Sequence, residues 1–357
     1  MEKIKVLVVD DSALMRKMIS EILMSDPEIE VVGKARHGLD ALEKIPELKP
    51  DVITLDINMP IMDGVKALKQ IMAKFPRPVI IVSSLTQDEA DITFEVLDLG
   101  AVDYVPKPSG TISLDIKAIS EEIIQKVKEA AKIDLAKITH KKRSHFVHRL
   151  LTVEDKPKYV VAIGISTGGP KTLIDILSEI EPDLETVYLV AQHIPPHFSC
   201  SLAERLNKYT PIPFSQATNG EPLKGGHGYL SPGGWHMLVT PDRRIKVTKH
   251  PLNTLFHPSV DILFKSVAEV FRNRAIGVIL TGIGSDGANN LLKIKEAGGI
   301  TIAESEETAI VFGMPAAAIE LGAAQIVAPA YNIASEIKKA IFRLRHRESE
   351  EYERGAA

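Results

Sequence analysis

The residues able to do chemistry stand at the ends of short apolar runs, in two groups. Asp10 and Asp11 follow Val6–Val9, Asp56 follows Val52–Leu55, Ser83 follows Val79–Val82 and Lys107 follows Val102–Val105. Three carboxylates gathered at one edge repel each other unless a cation lies among them. A hard divalent ion with oxygen ligands, Mg²⁺ above all, suits such an array and leaves room for a phosphoryl group. Lys107 then supplies charge for phosphoryl oxygens, Ser83 supplies a hydroxyl, and Asp56 becomes the nucleophile for an aspartyl phosphate. The competing reading is that strand-end aspartates only cap the helices that follow.

The second group centres on Gly164-Ile165-Ser166-Thr167-Gly168-Gly169-Pro170, which closes the apolar run Tyr159–Ile163. Its G-x-S-x-G spacing exposes a serine hydroxyl on a tight turn and points the amides of a helix start at a developing oxyanion. A phosphate-binding glycine turn is the alternative, although the G-x-G-x-x-G fingerprint and a Walker lysine are both absent. A serine nucleophile needs a base, and the base needs an orienter. His193 follows the run Thr186–Ala191, with His197 as a rival, and Pro195-Pro196 keeps the two histidines off a common helix face. Asp286 sits in Gly282-Ile283-Gly284-Ser285-Asp286-Gly287, after Ala275–Leu280, as either the orienting carboxylate or a helix cap.

The elements that must position these groups alternate between strand and helix. Residues up to about 108 give five strands, the second being Glu30–Lys34, separated by helical patterns such as Met15, Ile19, Ile22 and Leu23; a fifth helix begins near Leu114. That order predicts an α/β fold with a parallel sheet covered on both faces. From Tyr159 the alternation resumes, with further strands at Gly228–Leu230, Met237–Val239, Ile245–Thr248 and Ile300–Ala303. Helices are expected at Lys171–Ile180, His197–Lys208, Val260–Phe271, Gly287–Ala297, Met314–Leu321 and Tyr331–Arg345, and an antiparallel ribbon between about Gly225 and Pro251. Between the two regions, Lys132–Lys158 carries eight Lys or Arg, three acidic residues and three histidines, which predicts an exposed connector, the alternative being a helical one that also touches an acidic partner.

Composition bounds the possibilities. The 357 residues suit about two domains. A net charge of -4, from 43 basic and 47 acidic residues, argues against a chain whose overall charge drives binding to nucleic acid. No run approaches ~18 apolar residues, so no membrane insertion is expected. The start, a short apolar run broken by Lys5 and ending in Asp10-Asp11, is too short and acidic for a secretory signal, and a cytoplasmic location is expected. The single Cys200 excludes an intrachain disulfide or a multi-cysteine metal cluster.

The spans Val8-Val9-Asp10-Asp11-Ser12, Asp56-Ile57-Asn58-Met59-Pro60 with Asp63-Gly64, and Pro106-Lys107-Pro108 resemble the receiver domain of two-component response regulators. That resemblance implies a flavodoxin-like fold and phosphorylation of Asp56 by a histidine kinase. It also implies Mg²⁺ near Asp10, Asp11 and Asp56, a switch through Ser83 and Tyr104, and the cis Lys107–Pro108 peptide usual in the family. The Ser166, His193 and Asp286 spans run in the order Ser, His, Asp, unlike ordinary α/β-hydrolases. They resemble the catalytic domain of the chemotaxis protein-glutamate methylesterase family, CheB, whose layout joins a receiver to this domain.

The expected arrangement is a receiver at 1–125, a linker at 126–157 and a Rossmann-like doubly wound methylesterase domain at 158–348. The resemblance implies that Ser166 attacks, His193 serves as base and then acid, and Asp286 orients it, with no cofactor at this site. Backbone amides of Thr167 and Ile283 become the oxyanion-hole donors; family members often carry methionine at the latter place, a change a backbone donor tolerates. The substrates would be glutamate methyl esters on cytoplasmic helices of chemoreceptors, with glutamine deamidation open to the same machinery. An unphosphorylated receiver restricting the Ser166 cleft, released by phosphorylation, is the expected regulation.

Overall fold

The computed structural model describes residues 2–83, 87–107, 113–137, 145–146, 148 and 156–355. The chain forms two compact units, 1–140 and 141–357. Pro108 lies outside the described residues, and with it the expected cis Lys107–Pro108 peptide.

The first unit runs β1 (Ile4–Val9), α1 (Ala13–Met24), β2 (Ile29–Ala35), α2 (Gly38–Leu48), β3 (Val52–Asp56), α3 (Gly64–Lys74), β4 (Val79–Ser83), α4 (Gln87–Asp98), β5 (Asp103–Pro106) and α5 (Ser113–Ala130). Its five strands pair in the order β2-β1-β3-β4-β5, all parallel. Helices on both faces leave β3 and β4 wholly buried, which is why those segments are nearly unbroken Val, Ile and Leu rather than alternating. Helix starts are fixed locally: Ser12 accepts from Met15 N, and Asp63 from Lys66 N. The last helix continues past the expected boundary at 125.

The second unit runs β6 (Tyr159–Ile165), α6 (Gly169–Leu177), β7 (Thr186–Gln192), α7 (Phe198–Tyr209), β8 (Phe214–Gln216), β9 (Gly228–Leu230), β10 (His236–Val239) and β11 (Ile245–Thr248). It continues with α8 (Val260–Phe271), β12 (Ala275–Ile279), α9 (Ala288–Glu296), β13 (Ile300–Glu304), α10 (Met314–Glu320), β14 (Ile326–Ala328) and α11 (Ala330–Gly355). Seven strands form one parallel sheet in the order β14-β13-β12-β6-β7-β9-β8. The chain leaves β6 toward β7 on one side and returns to β12 on the other. The crevice of such a sheet therefore opens where β6, β7 and β12 end.

Two expectations change. Gly228–Leu230 lies in the parallel sheet between β7 and β8, so the antiparallel ribbon is only β10 with β11. Strands β8 and β14, three residues each, are additions. Part of the expected connector also lies against the second unit. Phe146 N donates to Lys208 O (3.0 Å), and the His148 ring nitrogens lie 3.1 Å from Pro211 O and 2.5 Å from Asn207 O, at the end of α7.

Candidate active site and acidic pocket

In the first unit the strand ends deliver the acidic group as expected. Asp10 and Asp56 are buried and Asp11 is exposed, and one oxygen from each lies within 4.8 Å of the others. Lys107, carried past the end of β5 by its N–H bond to Ser83 O (2.8 Å), sets its ammonium 2.9 Å from Asp56 Oδ1 and 3.2 Å from Asp10 Oδ2. One cation faces three carboxylates. Burial pushes the Asp56 carboxyl up to about 6 against the pull of Lys107, and Asp10 adds repulsion. Burial opposes the charge on Lys107, but its two carboxylate partners outweigh it and raise its pKa.

The Asp56 Oδ2 atom is buried without a hydrogen-bond partner. An under-neutralised cluster with an orphaned carboxylate oxygen fits a hard cation, so this pocket could bind a metal. Ser83 is buried at the end of β4, accepting from Thr93 Oγ1 (3.3 Å). Tyr104, two residues before the end of β5, is buried with its ring edge-on to Phe94 and the Lys126 ammonium 5.3 Å from its centroid. Burial, then Asp103 and Glu122, keep its phenol protonated far above the usual range.

In the second unit three strand ends meet. Ser166 follows β6, His193 follows β7, and Asp286 lies in the turn after β12. Ser166 Oγ lies 3.1 Å from His193 Nδ1, and His193 Nε2 lies 2.8 Å from Asp286 Oδ2. His193 thus presents Nδ1 to the serine. His197, the rival base, is exposed at the start of α7, and Cys200 is exposed and bonded to Glu204.

The local sequence explains each placement. Gly168 starts α6 at φ 74°, a conformation that glycine adopts without strain, and its turn leaves Ser166 just ahead of the helix N-terminus. Ser166 N donates to Thr281 O (2.9 Å), and His193 N donates to Ile165 O (3.1 Å), so the turns are tied to neighbouring strand ends. Gln192 adds a brace that sequence reasoning passed over: its Nε2 donates to Ser166 O (2.8 Å) and His193 O (3.0 Å).

Asp286 does more than cap. It sits at the N-terminus of α8, accepting from Val260 N (2.7 Å) and Asp261 N (3.0 Å), and from Ser259 Oγ (2.9 Å). Burial would raise its pKa; the His193 bond and charge and the two helix amides overcome that and hold it below the usual carboxylate range.

The N–H groups of Thr167 and Ile283 donate to no other described residue. Ile283 is brought near because Gly282 packs against Ser166: a Cβ at 282 would lie 2.7 Å from Ser166 Cβ and 2.3 Å from Met314 Sδ. The Gly282→Ala variant is therefore expected to lose about 1–3 kcal/mol of stability through overpacking. It should also lower kcat more than raise KM; thermal unfolding and steady-state kinetics check this.

Three further neighbours went unread in the sequence. The Phe256 ring stacks on His193, with centroids 3.9 Å apart and planes 12° apart. Ser259 bonds Asp286, and the buried His236 accepts from Ser259 N at Nδ1 (3.1 Å), which places its proton on Nε2, toward Pro251 O (3.2 Å). Burial lowers the His236 pKa, keeping it neutral. All three contacts depend on how loop 249–259 closes, and no spacing signal announces that.

The arrangement can activate a serine hydroxyl, take up its proton and offer two free amides beside it. The CheB methylesterase family model matches residues 161–337, and the response regulator receiver domain model matches residues 6–118. A protein-glutamate methylesterase/protein-glutamine glutaminase of Carboxydothermus hydrogenoformans is 47% identical over 349 residues, 94% of this chain and 99% of that protein. One from Pyrococcus horikoshii is 43% identical, covering 95% and 94%. Among solved structures, the Thermotoga maritima CheB methylesterase catalytic domain aligns with 50% of this chain and 96% of its own, at TM-score 0.48 and 38% identity. The response regulator domain of Thermotoga maritima CheB covers 37% and 99%, at TM-score 0.35 and 52% identity. With receiver and hydrolase matched in one chain and relatives this close along its whole length, the protein belongs to the chemotaxis protein-glutamate methylesterase/protein-glutamine glutaminase family.

Proposed function

We propose that this protein hydrolyses glutamate methyl esters on chemoreceptor helices through Ser166, His193 and Asp286, under control of phosphorylation at Asp56. The observation that carries the reading is the continuous hydrogen-bonded chain from Ser166 Oγ through both His193 nitrogens to Asp286. Ser166 Oγ attacks the ester carbonyl while His193 Nδ1 takes its proton. The carbonyl oxygen, now an oxyanion, is held by the amides of Thr167, just ahead of α6, and Ile283, in the turn after β12. His193 returns the proton to the departing methoxide, methanol leaves, and an acyl-enzyme remains. Water then repeats the cycle with His193 as base, releasing free glutamate and restoring Ser166. Deamidation of glutamine follows the same path with ammonia as leaving group, and is harder because the amide nitrogen must be protonated as it leaves.

In the receiver, Asp10, Asp11 and Asp56 would hold Mg²⁺, which offsets carboxylate and phosphoryl charge when bound. Lys107 pairs with phosphoryl oxygens, Asp56 supplies the attacking oxygen, and Ser83 with Tyr104 forms the switch. The phosphodonor is a histidine kinase, the location cytoplasmic; among the described residues no helix is long and apolar enough to cross a membrane. Residues 1–125 serve as receiver, 126–157 as connector and 158–348 as catalytic domain. The receiver limits access to Ser166 until phosphorylated, a shift of populations between restricted and open arrangements.

The test is methanol release from methylated receptor membranes, with and without a small phosphodonor. Wild type should release methanol, faster with the phosphodonor, whereas Asp56→Asn should show no phosphodonor response. Absence of release by wild type in both conditions would overturn the esterase reading. An Asp56→Asn variant that responds like wild type would overturn the regulatory one.

A further inference from the structure

We infer that loop 249–259 is the docking element for the protein substrate, with Leu252 and Leu255 contacting the apolar flank of the helix that carries the ester. The inference rests on the reading above that the ester sits on a receptor helix.

Reach limits how a helix can present its ester. The ester carbonyl of a glutamyl side chain lies only roughly 4 Å from its Cα. A helix is about 10–12 Å across with its side chains. A helix whose glutamyl ester reaches Ser166 must therefore press on whatever surrounds the Ser166–His193 pair. One such neighbour is defined: Phe256 is stacked on His193. The residue next to it, Leu255, is 83% exposed, and Leu252 on the same loop is 64% exposed.

These leucines are not exposed by a loose loop. His236 Nε2 donates to Pro251 O (3.2 Å), Gly234 N donates to His257 O (2.9 Å), and Thr254 Oγ1 lies 3.3 Å from both His236 and His257. A loop pinned at several points that still presents two large apolar side chains to water has the character of a binding surface. Its approach adds charge. Lys246 and Lys249 are exposed, Lys249 standing over the Trp235 ring at 4.7 Å, and neither forms an ion pair among the described residues. A segment bearing several glutamates, some unesterified and anionic, complements this apolar and basic face.

The experiment compares the full-length wild type with the Leu252→Ser/Leu255→Ser double variant on two substrates. One is methylated receptor membranes, read by methanol release; the other is p-nitrophenyl acetate, which carries no helix flank to dock on Leu252 and Leu255. The expected result is a KM for receptor raised on the order of tenfold, as for loss of an apolar anchor. Hydrolysis of the small ester should stay at the wild-type rate, which also reports an intact fold. An unchanged receptor KM overturns the inference. So does an equal loss on both substrates, which would make the loop a support for His193 alone. If wild type cleaves the small ester but releases no methanol from receptors, the receptor reading itself has failed and the docking role falls with it.

Discussion

Replacing Ser166 with alanine is expected to cut methanol release by roughly 10⁶-fold, the scale on which removing a nucleophile disables a unit that acts together. The amides of Thr167 and Ile283 remain, so slow hydrolysis above the uncatalysed rate should persist, but no acyl-enzyme can form. A fluorophosphonate probe gives the second readout: it should label wild type at Ser166 and leave the variant unlabelled. Labelling elsewhere in the variant, with methanol release retained, would show that another residue is the nucleophile. Stability should change little, since among the described residues Ser166 Oγ bonds only His193.

Asp286→Asn is expected to lower kcat by about 10⁴-fold with a far smaller effect on KM. The reason is a donor and acceptor mismatch that no amide flip cures. Asp286 Oδ1 accepts from Ser259 Oγ and Asp261 N, while Oδ2 accepts from His193 Nε2 and Val260 N. An amide NH₂ placed on either side faces two donors. Turned toward His193, it also drives the ring proton to Nδ1, the atom that must accept from Ser166. The native carboxyl titrates below its unfolded value of about 3.9, so its stabilising contribution is complete above that pH and vanishes as pH falls through the lower folded value. The stability gap between wild type and Asp286→Asn should therefore hold from neutral pH down to about pH 4 and shrink below it. Denaturant titrations at several pH values check this; a gap that widens in acid would contradict the assignment.

The residues that sequence reading could find share one property: they end strands. Asp10, Asp56, Lys107, Ser166 and His193 each follow a buried apolar run, and Asp286 lies in the glycine turn beyond one. In a parallel sheet the chain direction alone sends such ends to one edge. Phe256, Ser259 and His236 escaped because their roles depend on the closure of one irregular loop, which has no periodicity. Strands β8, β9 and β14 span three residues each, too few for a pattern to give direction, so β9 read as part of the ribbon. The nitrogen that His193 turns toward Ser166 is a matter of ring rotation within packed surroundings, and no sequence records it. The docking surface was equally hidden, since Leu252 and Leu255 look like ordinary core residues until the loop around them is seen to be pinned.

The sheet order has a kinetic consequence. β6 pairs directly with β12, so Val160–Gly164 meets Ala275–Ile279 across a long intervening chain, and Ser166 receives its Thr281 and Gly282 neighbours only through that pairing. Contacts this distant in sequence are among the last a chain secures, because the intervening segment must first be closed. During refolding, then, helix content should return before Ser166 gains its full surroundings, and an intermediate with β6–β7 paired but lacking the β6–β12 register would hold Ser166 and His193 without Asp286 and the Ile283 amide.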